Sequence, residues 1–341
     1  MSLTSDTSPL RVVDAGSPPE LELPAATAIA PPIIAVTDDP GRLTSDHWLR
    51  CAAVTITEFD TDDRRCVRVD SVEDTLSSIA ARCARNPITA AITTDVLASV
   101  NTDGDARPAL VTESLAYSAP QAGPEFARWL CERGPSRPAI SDEEPLTYVR
   151  DSDDLFITFN RPQRHNAFND AMRVGLLEAL TVAHLDPAVR LVELRGSGQS
   201  FCSGGDLAEF GQFDDPASAH IARTRHSPAL ALNALRLRMD THLRARVHGQ
   251  VLGSGLEMAA FCGHIVAHPD ARFGLPELGI GLIPGAGGTY SVTRRIGRWR
   301  SAYLVLSGVT LDAEGALRWG LVDEVAPMPA ADAGQGTSTS S

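Results

Sequence analysis

The sequence predicts an α/β fold with helices covering the sheets, and three observations point there. Short β-rich segments recur at Leu155–Phe159, Val189–Leu194 and Arg244–Val247. A helical stretch, Ala167–Leu185, lies between the first two. The second and third segments each run into a glycine-rich turn, GSGQSFCSGGD from Gly196 and HGQVLGSGLE from His248.

Taken in order, residues 1–45 are rich in Pro, Ala, Ser, Thr and Asp, and read as a disordered leader with one candidate strand at Ile33–Val36. A small α/β unit is expected over 46–134. Cys51–Ile56 is its first strand, and Val72–Cys83 is a helix capped by Asp70 or Ser71. The β-branched residues of Ile88–Val100 suggest a buried strand, and Gly123–Gly134 a short helix ended by glycine. The polar stretch 135–146 reads as a linker, 147–327 as the catalytic core, and 328–341 as a disordered tail.

Composition narrows the function. The 341 residues carry a net charge of −13, which disfavours non-specific binding to nucleic acid or to an anionic membrane. No apolar run reaches the roughly 18 residues that a membrane span requires. The N-terminus has neither the basic nor the apolar region of a secretory signal. All 30 basic residues are arginine, which excludes Schiff-base and phosphate-loop lysines. Six scattered cysteines form no C-x-x-C pair, which argues against a disulfide framework or zinc site and fits a reducing cytoplasm.

The chemistry concentrates in the two turns, Phe201–Asp206 and Leu252–Glu257. A turn that leads from a strand into a helix leaves backbone N–H groups without partners. Two such turns aimed at one atom would hold a carbonyl oxygen as it becomes negative, each donor contributing about 3–4 kcal/mol. Two carboxylates stand among apolar neighbours, Glu257 after the second turn and Glu277 in Phe273–Gly279. Burial would raise their proton affinity and fit them for acid and base work near neutrality. Taken singly, each turn also reads as a plain turn, Glu257 as a helix-start acid and Glu277 as a loop acid.

Together these segments resemble the crotonase (enoyl-CoA hydratase/isomerase) superfamily from about Leu155 to Val325, most specifically through HGQVLGSGLEMAAFCGHIVAHPDARFGLPELGIGLIPGAGGTYSVTRRIG. Hydratases of that family carry two glutamates twenty positions apart, the spacing of Glu257 and Glu277. The resemblance implies a ββα superhelix core, with the small N-terminal α/β unit as an addition. It places the oxyanion donors on the N–H groups of Gly205 and Ser254 and the acid pair on Glu257 and Glu277. Coenzyme A contacts fall on Arg164, His165, Ala167, Gly205, Asp206, Leu207 and Ala208, with Arg164 assigned to a phosphate.

The implied reaction is syn addition of water to a 2-enoyl-CoA thioester, the two acids sharing the water. Coenzyme A serves as carrier of the substrate, and no metal or redox cofactor is required. Isomerisation, which needs mainly one base, and acyl-CoA binding without turnover are the alternatives. A homo-oligomer, trimer or hexamer, is the family habit. Three departures stand out. Gly263 sits where the family often has aspartate, the family continues past the segment ending at Val325, and the residues before 147 lie outside its usual fold. The unit at 47–134 is expected to provide packing or substrate cover in place of that continuation.

Overall fold

A computed structural model describes residues 8–17, 29–42, 46–137, 143–212 and 215–327. The chain divides into two compact units, each assembled from separated segments. The first comprises Met1–Pro135, Gly211–Arg225 and Gly274–Thr310; the second comprises Ser136–Phe210, His226–Phe273 and Leu311–Ser341. The tail 328–341, and parts of the leader and linker, lie outside the described residues.

The first unit opens with a four-stranded sheet, β1 (Arg11–Asp14), β2 (Ile33–Val36), β3 (Val54–Thr57) and β4 (Cys66–Arg68), in that order and parallel throughout. Two of these strands fall in the stretch expected to be disordered. Their pairing is what the composition concealed: Ile34 and Ala35 are fully buried, and Trp48 packs on Ala15, Ala35 and Ala52. Trp48 belongs to α1 (Asp46–Cys51), so the strand expected from Cys51 begins instead at Val54.

Four helices follow, α2 (Val72–Arg85), α3 (Pro87–Ser99), α4 (Ala106–Gln121) and α5 (Pro124–Arg133). The Ser71 hydroxyl caps α2 by accepting from the Asp74 N–H at 3.1 Å. Helix α3 replaces the buried strand expected at Ile88–Val100. Pro87 takes the first helical position, where a missing N–H costs nothing. The Glu125 carboxylate, from α5, then accepts from the N–H groups of Ile88 (2.7 Å) and Thr89 (2.9 Å). The cap that decides helix over strand is thus non-local. Helix α5 ends, as expected, at Gly134, which adopts φ 74°.

In the second unit β5 (Leu146–Asp151) and β6 (Asp154–Phe159) form a hairpin, followed by α6 (Asp170–Leu185) and β7 (Leu191–Gly196). The chain then gives α7 (Pro216–Arg225) to the first unit and returns with α8 (Pro228–Met239), β8 (Leu243–Val247), β9 (Gln250–Leu252), α9 (Ser254–Ala259), β10 (His264–Ala267) and β11 (Arg272–Gly274). Helix α10 (Gly288–Ser307) is again in the first unit, and β12 (Leu311–Asp312), α11 (Ala313–Trp319) and β13 (Glu324–Val325) complete the second. The main sheet has the order β13-β10-β8-β7-β6-β5, parallel except for the hairpin, and β12-β11-β9 form a small third sheet. Leu155, Ile157 and Phe159 point inward by the alternation their sequence shows.

Two helices are shorter than expected. Helix α6 starts at Asp170, because the Asn169 side chain accepts from the Met172 N–H at 3.0 Å and Phe168 bridges to Gly205. Helix α9 stops at Ala259, since the chain must reach β10 by His264. Gly263 lies in that passage, where an added Cβ would fall 2.0 Å from the Asp240 carbonyl oxygen. No side chain fits there, and this accounts for the glycine in place of an aspartate.

Candidate functional site

The two glycine-rich turns lie side by side in the second unit. The Phe201 N–H donates to the His248 carbonyl (2.8 Å), Cys202 N–H to Gln250 (3.0 Å) and Leu252 N–H back to Cys202 (3.0 Å). This backbone ladder zips one turn to the other. The approach is close enough that a Cβ on Gly255 would meet the Cys202 Cβ and carbonyl at 2.7 Å. Gly205 lies between two groups bonded to Phe168: Gly204 accepts from its N–H and Asp206 donates to its carbonyl, both at 2.8 Å. Among the described residues, neither the Gly205 nor the Ser254 N–H donates to a protein acceptor. Both are therefore available to an external oxygen.

The first turn opens no helix, contrary to expectation. It continues as a tight turn in which the Ala208 N–H donates to Asp206 Oδ1 at 3.1 Å and Glu209 N–H to the Asp206 carbonyl at 2.9 Å. The second turn opens α9, which has only six residues and so a weak dipole. Direct N–H donation, more than a helix field, is what this site offers. Glu257 follows in the first turn of α9 and is 2% exposed. Burial pushes the Cys202 thiol up to about 12, so it stays protonated and acts as packing between the turns.

The segment after β6 is fixed by Arg161 and Asn166, which the sequence did not single out, and by Asp206, which it had placed on coenzyme A. Arg161 and Asp206 form a buried ion pair, Nη2 to Oδ2 at 2.8 Å with side chains 8% and 6% exposed. Arg161 Nη1 also donates to the Ala167 carbonyl. Asn166 is fully buried; its amide donates to the carbonyls of Ser197 (2.8 Å) and Ser200 (2.7 Å), and its Oδ1 accepts from the Arg161 N–H (2.7 Å). His165, at φ 50°, sits 3.0 Å from the Ser200 hydroxyl through Nδ1. Arg164 is exposed, with no ion pair among the described residues. Leu207 is 47% exposed and Ala208 buried. Asp206 thus braces the turn. The available signal was an arginine placed two residues after an apolar strand, in a stretch that must pack.

Glu277 belongs to the first unit, and Gly205, Ser254 and Glu257 belong to the second. It starts a 3₁₀ turn, Glu277–Ile280, and its Oε2 is shut from solvent with no hydrogen-bond partner among the described residues. Burial pushes its carboxyl up to about 8; its own backbone N–H works against that, the Glu113 carboxylate adds to it and Arg82 opposes it. Burial thus favours the protonated form of Glu277. Glu113, on α4, is 2% exposed and its carboxyl is pushed up by burial to about 7. It was missed because α4 itself was not anticipated. Among the described residues no group of three or more His, Cys, Asp or Glu is placed to hold a metal, and no helix is long and apolar enough to cross a membrane.

Comparison with known proteins gives concordant matches. A family profile described as enoyl-CoA hydratase/isomerase matches residues 155–332. The 2,3-dehydroadipyl-CoA hydratase of Escherichia coli K12 is 36% identical over 173 residues, which span 51% of this chain and 66% of that protein. A probable enoyl-CoA hydratase of Mycobacterium tuberculosis is 36% identical over 186 residues, 54% of this chain and 69% of that protein. Among solved structures, an enoyl-CoA hydratase/isomerase from Mycobacterium abscessus aligns at 35% identity with a TM-score of 0.49, covering 53% of this chain and 70% of that one.

Proposed function

Because the chain belongs to the enoyl-CoA hydratase/isomerase family, the crotonase superfamily, we propose that it is an enoyl-CoA hydratase adding water syn across the double bond of a 2-enoyl-CoA thioester. The observation that carries this reading is the zipped pair of turns whose Gly205 and Ser254 N–H groups lack acceptors among the described residues. Such donors stabilise the enolate oxygen that forms when hydroxide adds to C3. Glu257 takes one proton from the water as its oxygen bonds to C3. Glu277, protonated near neutrality, delivers its proton to C2, and solvent exchange resets the two acids. Arg164, exposed and without an ion pair, serves a phosphate of coenzyme A, and the backbone of Gly205–Ala208, with His165 and Ala167, lines the carrier's path. The chemistry so written needs no metal or redox group.

Residence in the cytoplasm and symmetric self-assembly belong to the same proposal. Six cysteines outside any disulfide support the first and the family habit supports the second.

The test is a panel of enoyl-CoA chain lengths, monitored by loss of thioester-conjugated absorbance. Hydration of one of them, abolished in Glu257→Ala, supports the proposal. Isomerisation that survives Glu257→Ala would reassign the reaction within the family. Tight coenzyme A binding with no turnover across the panel would make the chain a binding protein.

A further inference from the structure

We propose that Glu113 is a positioning residue for Glu277, a buried carboxylate supplied by the N-terminal helices, outside the family-matched region, that fixes the loop following the acid. This inference rests on the reading of Glu277 as the proton donor.

The loop from Glu277 to Thr289 is bonded by side chains of Asn86, at the junction of α2 and α3, of α3 and of α4. At its start, Asn86 Nδ2 donates to the Leu278 carbonyl at 2.6 Å. Next, the Thr89 hydroxyl donates to Glu125 Oε2 at 2.5 Å and lies 3.2 Å from the Gly281 carbonyl, sharing its one proton between them. Tyr117 packs against Gly285 so closely that a Cβ there would lie 2.4 Å from its ring. At the end of the loop, Glu113 Oε1 accepts from the Gly287 N–H at 2.7 Å. Its Oε2 accepts from the Thr289 N–H at 2.9 Å and from the Thr289 hydroxyl at 2.6 Å. Arg82 reaches the Leu306 carbonyl on α10 at 3.0 Å.

Unlike Asn86 and Thr89, Glu113 is titratable. It anchors three donors of the loop and acts electrostatically on Glu277, disfavouring the carboxylate form of the acid. The charged groups that face the pair come from each packed element: Arg82 from α2 acts on Glu277, and Arg223 from α7 acts on Glu113. Arg223 is itself fixed on α4, by the Ser114 hydroxyl (3.0 Å), the Ser118 hydroxyl (2.6 Å) and the Gln121 amide oxygen (3.0 Å), and lies over the Tyr117 ring. His220 of α7 joins the same cluster at Ser114 (2.9 Å).

The experiment uses the full chain and two readouts. Isotope-edited infrared titration without substrate follows the Glu277 carboxyl by difference from Glu277→Gln, and the pH profile of kcat follows the same group in turnover. In Glu113→Gln the Glu277 titration should move down by about one unit, and the alkaline limb of kcat should move with it. At neutral pH kcat should fall while KM stays within about twofold, because a group acting only in the transition state is affected. An unmoved titration with lowered thermal stability would overturn the proposal and leave Glu113 a structural brace. Should Glu113→Gln fail to fold, Glu277→Gln carries the test. Coupling is reciprocal, so the Glu113 carboxyl should titrate about one unit lower there, and no shift would overturn the proposal. The infrared arm needs no turnover. A chain that hydrates nothing yet shows the shift would refute the hydratase reading and retain the coupling.

Discussion

The paired turns of the second unit and the acid loop of the first are both rigid, but for different reasons. The turns are fixed by backbone bonds between Phe201–Cys202 and His248–Leu252, and by glycines that let two main chains touch. The acid loop is fixed by side chains of Asn86, Thr89 and Glu113, which reach it from helices at least 174 positions earlier in the sequence. A backbone-built site depends on few side chains and tolerates change around it. A site held by side chains can be loosened one clamp at a time, and its electrostatics change with each.

The largest effect that tests this contrast is chemical. Glu277→Gln should lower hydration about 10²–10⁴-fold in steady-state assays, the span expected for losing a positioned acid. It should also change the pH dependence of stability. A carboxyl whose proton affinity is raised on folding keeps its proton in the native state while the unfolded chain releases it. The wild-type protein should therefore lose stability as pH rises from 4.5, the ordinary value, to about 8. Denaturation midpoints of Glu277→Gln should fall less steeply across that window; an unchanged slope would remove Glu277 from the buried titrating groups.

Next in size is the brace beneath the first turn. Asp206→Ala leaves the buried Arg161 guanidinium without its carboxylate and should destabilise the fold by about 3–5 kcal/mol in urea titrations. Gly255→Ala pushes a methyl against the Cys202 carbonyl and should cost about 1–3 kcal/mol, with loss of turnover from a splayed turn pair. Asn86→Ala strips the Leu278 carbonyl of its donor, a loss of about 1–3 kcal/mol, and should lower kcat more than it raises KM. If it left kcat untouched, the clamp would be shown not to govern the acid. Smallest is Arg164→Ala. At an exposed position it should alter stability by no more than about 0.5 kcal/mol, and it should show itself only as a weaker KM for the coenzyme A thioester.

What the sequence revealed follows the same division. The strands at Leu155, Val192 and Ala245 alternate or bury in short local patterns, and the glycines between them mark turns whose constraints are local too. Helix α3 was misread because its β-branched residues resemble a strand until Glu125 is placed at its N-terminus, and no local window contains both. Strand β2 was legible as the apolar Ile33–Val36, but β1 was hidden, since its parallel partner lies beyond a proline-rich segment. Glu277 was recognisable by its motif, whereas Glu113 and Arg161 owe their importance to what packs on them. The family-matched stretch begins at residue 155, so the helices that clamp the acid were outside any motif.

The first unit also has an awkward order of synthesis. Helices α2 to α4 leave the ribosome long before Gly274–Thr310, the segment they are to grip, exists. Such distant pairing slows folding and leaves an unfinished surface waiting in water. That surface carries Asn86, Thr89 and Glu113, all buried in the finished protein. The hydrogen-bonding groups that later hold the acid loop are meanwhile satisfied by solvent.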